Sequence, residues 1–290
     1  MGKSVKLKVL GLLYLVIVLF GAATVFFFHR LFQYNLLIAI GIVLVAAVPV
    51  TFVMFKILLG KEKNKPYSKL LTEFNKELFT NGYTEKFFEL SNQAINAYKS
   101  GEKIDQLYLK DFVFCTADYY NAMEQYDKSL ELVSLVDVNR LTDKNTIYLD
   151  HGISAMTYYG CLMEIYRGTN DKGNAINLME QAKPILEMNH KHEFIQMFAD
   201  NIYYMYYMVI ENYDRAGEYA DKLASYTSPE SARFFSRYIA EAEYKLHLGK
   251  RQEAIEAFKK MESLFEGEHK NLYEFYYNVF AERLGIKADL

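Results

Sequence analysis

The side chains able to do chemistry are few, and their spacing keeps them apart. Glu243 and His247 stand at i and i+4, which could bring a carboxylate and an imidazole to one metal ion. Two ligands are too few for a site, and an exposed pair on a helix face is the commoner meaning. His190 and His192 are two apart, about 200° around a helix, so they read as capping or exposed groups at a helix junction. The turn Asn170-Asp-Lys-Gly173 resembles a calcium loop, but Lys172 stands where an oxygen ligand belongs and Met179 where the closing Glu belongs. Gly2-Lys3-Ser4 and Gly249-Lys250 lack the glycine loop and strand of a phosphate-binding turn, and GxGxxG, GxSxG and HExxH do not occur. Cys115 and Cys161 lie 46 residues apart in apolar helical patterns with no CxxC or Cys/His cluster, and read as buried free thiols in a reducing compartment. This inventory points away from an enzyme and names no catalytic residue, no cofactor and no metal.

The elements that could position a site divide into two materials. Val9 to Phe28 is a run of twenty residues without a charge, fourteen of them Leu, Ile, Val or Phe. On an insertion scale those fourteen favour a bilayer by about 4 to 8 kcal/mol. Leu31 to Phe55 is a second uncharged run of 25 residues, with Pro49 near its end. Both are long enough to cross a hydrocarbon core of about 30 Å. The reading is a transmembrane helical hairpin over 1-60, with spans at about 9-28 and 35-58, followed by a linker at 61-65. The first run is longer than the apolar part of a cleavable signal peptide, and Lys6 spoils a myristoylation signal. Gly21-Ala22-Ala23 and Ala39-Ile40-Gly41 would let the two helices approach closely.

Lys3, Lys6 and Lys8 precede the first span, Lys56, Lys61, Lys63 and Lys65 follow the second, and the connection carries only Arg30 as a fixed charge. By the positive-inside bias both termini face the cytoplasm of a multi-pass plasma-membrane protein. Residues 1-65 hold eight Lys/Arg against one Glu, net +7, leaving 25 Lys/Arg against 35 Asp/Glu, net −10, for residues 66-290. An acidic body of this kind excludes nucleic acid, which needs a basic footprint, and favours a basic partner.

From Pro66 onward the apolar residues recur at helical spacing, as in Phe87, Leu90, Ala94, Ile95 and Tyr98, and no strand pattern survives. The breaks between them predict about eleven helices of 11 to 24 residues. A unit recurs within this stretch: a helix ending in an apolar residue, a tight turn carrying an aromatic, then a small residue opening a second helix. It is seen at Met123-Glu-Gln-Tyr126-Asp-Lys-Ser129, Ile210-Glu-Asn-Tyr213-Asp-Arg-Ala216 and Leu248-Gly249-Lys-Arg-Gln-Glu-Ala254. A copy with a longer turn runs from Gly168 to Ala175, and a worn one from Asn81-Gly82 to Phe87. Aligned on that last position, the copies follow one another after 42, 46, 41 and 38 residues.

These residues resemble the tetratricopeptide repeat (TPR), whose two helices pack through a pair of small residues. Ala117 with Ser129, and Ala242 with Ala254, match that pair; Tyr120 and Tyr207 match the aromatic of the first helix, Tyr126 and Tyr213 the turn aromatic, and Phe258 the bulky residue of the second helix. The copies depart from the family in their longer periods, in Tyr204 at a small position, and in lacking the closing proline. The resemblance covers 66-290 and implies an all-α chain of bacterial type, a membrane hairpin carrying a cytoplasmic TPR-like α-solenoid. It also implies a concave groove built from Asp111, Phe114 and Asp118, from Asn201 and Met205, and from Ile239, Glu243 and His247. That set lacks the Lys or Arg that would clamp a terminal carboxylate. The function expected is a tethered scaffold that binds a protein or peptide, with peptide sensing through the hairpin as the alternative.

Overall fold

A computed structural model describes residues 13-19, 21, 47-51, 54, 66-188, 192-267 and 269-287. The chain forms two compact units, Met1-Pro66 and Tyr67-Leu290. In the first, helix is described at 13-19 and at 47-51. Among the described residues no helix is long and apolar enough to cross a membrane. This corrects both the two-span hairpin expected over 9-28 and 35-58 and the multi-pass plasma-membrane location, with cytoplasmic termini, drawn from it. The rest of those two runs, and the linker 61-65, lie outside the described residues.

The second unit is helical throughout its described residues, with no strand. Its helices are α1 (66-81), α2 (Glu85–Lys99), α3 (Gln106–Ala122), α4 (Tyr126–Val133), α5 (Val138–Leu141), α6 (Lys144–Asp150), α7 (Ile153–Gly168), α8 (Lys172–Leu186), α9 (Glu193–Val209), α10 (Tyr213–Ser225), α11 (Pro229–Ala232), α12 (Ser236–His247), α13 (Arg251–Lys259), which runs on into a 3₁₀ segment Lys260–Glu266, and α14 (Lys270–Arg283). These are more numerous and shorter than the eleven expected. The surplus comes from local capping: Asp137 accepts from the Asn139 amide at 3.1 Å and Asp143 from the Asn145 amide at 3.0 Å, and each restarts a helix after one turn or two.

Five antiparallel pairs account for most of the unit: α1 with α2, α3 with α4, α7 with α8, α9 with α10, and α12 with α13. Four of the turns between partners share one backbone geometry. Glu124, Asn170, Glu211 and Gly249 lie in the left-handed region, with φ of 57°, 53°, 60° and 73°. The next amide in each reaches five residues back: Gln125 to the Tyr120 carbonyl, Asp171 to Tyr166, Asn212 to Tyr207 and Lys250 to Lys245, at 2.8 to 2.9 Å. This pattern satisfies the last carbonyls of the first helix and aims the chain back along it. Gly82, φ 78°, holds the same place between α1 and α2. All five stand five residues before the aligned positions Phe87, Ser129, Ala175, Ala216 and Ala254.

Those aligned residues are fully buried. Ser129 Oγ donates to the Ala117 carbonyl at 3.2 Å across its pair, so a hydroxyl as well as a small volume fits there. Phe87 breaks the small-residue pattern because its ring stacks on Phe74 at 4.8 Å, filling a wider gap. Successive pairs lock through the turn aromatics. Tyr126 lies across Gly168 of the next pair, and Tyr213 stacks on His247 of its own next pair at 3.8 Å between ring centres. Gly168 and His247 occupy the same place, seven residues before Ala175 and Ala254.

The first helices α3, α7, α9 and α12 pack side by side in chain order, and α14 then returns to α3. One apolar cluster therefore unites Leu70, Phe74, Leu78 and Phe87 from the beginning of the unit with Ile239, Phe258, Leu272, Tyr276 and Phe280 from its end. At this seam Asn271 Nδ2 donates to the Thr80 carbonyl at 2.8 Å, the Tyr83 and Tyr276 hydroxyls meet at 2.5 Å, and Phe275 packs on Tyr83 at 4.8 Å and Tyr119 at 5.6 Å. The solenoid-like array closes on itself.

Gly168 gives a direct test of the inter-pair lock, because a Cβ there would sit 2.0 Å from Tyr126 Cζ. Gly168→Ala is expected to destabilise the chain by about 1 to 3 kcal/mol through overpacking. In a Tyr126→Ala background the same change becomes neutral or stabilising by up to about 1 kcal/mol, since alanine is the better helix former. Urea unfolding of the two single variants and the double variant measures the change of sign.

Candidate functional site

Closure of the array frames a half-open cavity of about 560 Å³, walled by the inward faces of α3, α7, α9, α12 and α14. Four aligned positions supply its floor, three of them acidic. Eleven residues before Ser129, Ala175, Ala216 and Ala254 stand Asp118, Glu164, Met205 and Glu243, and all four line the cavity. One helical turn earlier, Gly160, Asn201 and Ile239 line it as well. A helix repeats its face every three to four residues, so a fixed offset from the turn keeps these side chains on the concave side of each pair.

Of the expected groove residues, Asp118, Asn201, Met205, Ile239 and Glu243 are brought together here. Asp111, Phe114 and His247 are not. Asp111 pairs with Lys110 at 2.7 Å, Phe114 is buried in the larger apolar core, and His247 is exposed against Tyr213. The groove expectation also leaves out the wall given by α7, including Gly160, Cys161, Glu164 and Arg167, and the aromatic wall of Phe198, Phe234, Tyr273 and Tyr276. The α7 residues carry a legible signal, since Glu164 stands at the same offset from Ala175 as Glu243 from Ala254. The aromatic wall has none, because it forms only when α14 returns to α3.

Charge at the floor is tightly arranged. Arg167 places Nη1 at 2.6 and 2.7 Å from the two Glu243 carboxylate oxygens, and Nε and Nη2 at 3.0 and 2.8 Å from Glu164. Tyr204, fully buried, donates to Glu243 at 2.8 Å, which accounts for a tyrosine at a position expected to be small. Arg283 from α14 reaches Glu164 at 3.2 Å, Glu124 at 3.1 Å and the Tyr126 hydroxyl at 2.6 Å. Burial alone pushes the Glu164 carboxyl up, but the two guanidiniums bring it below its ordinary value. Such fork-to-carboxylate bonds fix geometry as well as charge.

Asp118 has no cation beside it. Its one described polar contact is the Cys161 thiol at 3.8 Å, and the residue is exposed toward the cavity it lines. The protein packed around that half-open space, followed by the neighbouring Glu164 charge, pushes its carboxyl up to about 7. Three residues on, Asn121 donates Nδ2 to the Cys161 carbonyl at 3.4 Å, and its buried Oδ1 has no partner.

Both cysteines are free, Cys161 buried and Cys115 half-buried. Burial and the Asp118 charge push the Cys161 thiol well up, so it is held away from the nucleophilic thiolate form. Among the described residues no three His, Cys, Asp or Glu side chains are placed to hold a metal ion. His190 lies outside the described residues. His192 precedes α9 with its ring 5.9 Å from His151, and the Asn170 turn is a helix connection in which Asp171 caps α8. Compared with family models, with curated proteins and with solved structures, the chain matches none.

Asp118 gives a pH signature of its own. An aspartate in the unfolded chain titrates near about 3.9, and in the folded chain near about 7. Between those values the folded state binds more protons, so the stabilisation from protonating Asp118 is complete below the lower value and is lost as pH rises through the upper one. The depressed Glu164 acts oppositely, and only below its ordinary range. Melting temperature is expected to rise as pH falls from 8 to 6, whereas Asp118→Asn flattens that slope and is the more stable chain at pH 8. Parallel melting curves for the two chains across that range would contradict the assignment.

Proposed function

We propose that residues 66-290 are a TPR-like binding array that takes a peptide or small ligand in the central cavity, rather than an enzyme. The observation that carries this reading is the convergence of one offset from successive pairs, at Asp118, Glu164, Met205 and Glu243, on a single half-open space. Repeat arrays generate concave surfaces by small rotations between equivalent units, and a concave apolar space with a few fixed polar groups is the usual form of a ligand site. The acidic balance of 66-290 favours a basic occupant.

Docking of a folded protein on the outer surface is a second reading. Tyr148 and Leu149 on α6, exposed by 82% and 74%, are the observation that favours it. In either case the chain acts by holding a partner.

The two readings separate in one experiment. The full chain is screened against a library of short peptides by thermal shift, and the hits are repeated with Gly160→Leu and with Tyr148→Ser/Leu149→Ser. A Cβ on Gly160 meets only Ile202, at 3.8 Å, so leucine there extends into the cavity without displacing the helix. Cavity binding predicts that Gly160→Leu weakens the hits at least tenfold and the α6 variant leaves them unchanged. The reverse result favours docking on the outer face.

A further inference from the structure

We infer that the cavity takes a ligand carrying one cationic nitrogen on an apolar body, with the nitrogen held at the α3 wall by Asp118. This deepens the binding reading above and rests on it. The argument starts from charge. Asp118, Glu164 and Glu243 stand at equivalent places on three first helices. Arg167 is shared between Glu164 and Glu243, and Arg283 between Glu164 and Glu124, so both guanidiniums are taken up by acids other than Asp118.

The groups facing Asp118 from every packed element leave it without a counter-ion. Tyr83 comes from the turn before α2 and Cys115 from α3 itself; Cys161 and Glu164 come from α7, and Tyr276 from α14. None of these is a cation. At the rim Arg233 and Glu230 bring one charge of each sign, with His269 across from them.

Asn121, one turn on from Asp118, is 4% exposed and holds the Cys161 carbonyl through Nδ2, and its Oδ1 presents no surface to the cavity. The acceptor open to a ligand on this wall is therefore the Asp118 carboxylate, which asks for an N–H donor with positive charge. Phe198, Phe234 and Ile239 on the α9 and α12 side, and Leu272, Tyr273 and Phe280 of α14 beside α3, line the space with apolar surface. A cation entering alone would lose its hydration with only part of it replaced. Joined to an apolar body that covers this surface, it gains both contacts at once.

Such a nitrogen could belong to a free amine or to a lysine side chain in a peptide, and the test separates them. Binding to the full chain is measured by calorimetry at pH 8 for 4-phenylbutylammonium and its neutral counterpart 4-phenylbutanol. The same is done for the tripeptide acetyl-Phe-Lys-Phe-amide and its norleucine analogue. The inference predicts that at least one charged probe binds tenfold or more tightly than its neutral partner, and that Asp118→Asn brings the two to parity. It also predicts that lowering pH from 8 to 6 weakens the charged probe by about tenfold in the unaltered chain, as Asp118 takes up its proton, while the neutral probe is unmoved. Preference for the amine alone, or for the lysine peptide alone, names the source.

A neutral probe that binds as tightly as its charged partner, and is displaced by Gly160→Leu, overturns the inference and leaves the cavity reading standing. A charged preference that survives Asp118→Asn overturns it too. Binding of none of the four probes at millimolar concentration overturns both.

Discussion

Contact between the first helical pair and the last helix is the constraint on which the rest of the second unit depends. A stack of helical pairs buries its neighbours' apolar faces but leaves its two ends uncovered. Here each end covers the other: Tyr83 meets Phe275 and Tyr276, Phe275 also packs on Tyr119, and Asn271 and His269 bond the last carbonyls of α1. Those carbonyls would otherwise lack partners at the helix end. Without this seam the concave side is an open trough in contact with bulk water. With it, the trough becomes a half-open cavity, and the electrostatic interactions at its floor are strengthened as the surrounding water is reduced.

Partial enclosure explains why the floor is built as it is. Glu164 and Glu243 are tolerable at depth because Arg167 binds both through its planar fork and Tyr204 and Arg283 take the remaining lone pairs. Asp118 repeats their position on the neighbouring pair and lacks such partners. The same offset therefore produces a neutralised site twice and an unsatisfied one once. That asymmetry leaves one acid without a cation on the α3 wall of a cavity otherwise lined largely by apolar and aromatic side chains.

Much of the local structure is legible in the chain. The turns can be read because a left-handed residue, an aromatic and a small residue recur at fixed offsets, and Glu124, Asn170 and Glu211 adopt the strained conformation that Gly82 and Gly249 adopt freely. Five of the eight groove residues follow from that register. Phe114 departs because its position on α3 is turned into the larger core, and His247 because Tyr213 covers it. The short helices between α4 and α7 are less visible, since capping by Asp137 and Asp143 interrupts a continuous apolar pattern. Closure is not legible: it rests on Tyr and Phe contacts nearly two hundred residues apart, in a chain where such residues are common enough to carry no pairing information. The apolar runs before Lys61 have the length and hydropathy expected of membrane spans, but among the described residues no helix is long and apolar enough to cross a membrane.

Distance across the seam is the most direct measure of the account. Nitroxides at Thr80 and Lys270, in a full chain with Cys115→Ser and Cys161→Ala, sit on segments whose backbones are in hydrogen-bond contact through Asn271. Pulsed electron spin resonance should return one narrow, short separation. An open array of five stacked pairs would hold the labels about 40 Å apart, at 8 to 10 Å per layer. A broad distribution centred there would contradict the closed array and remove the cavity with it.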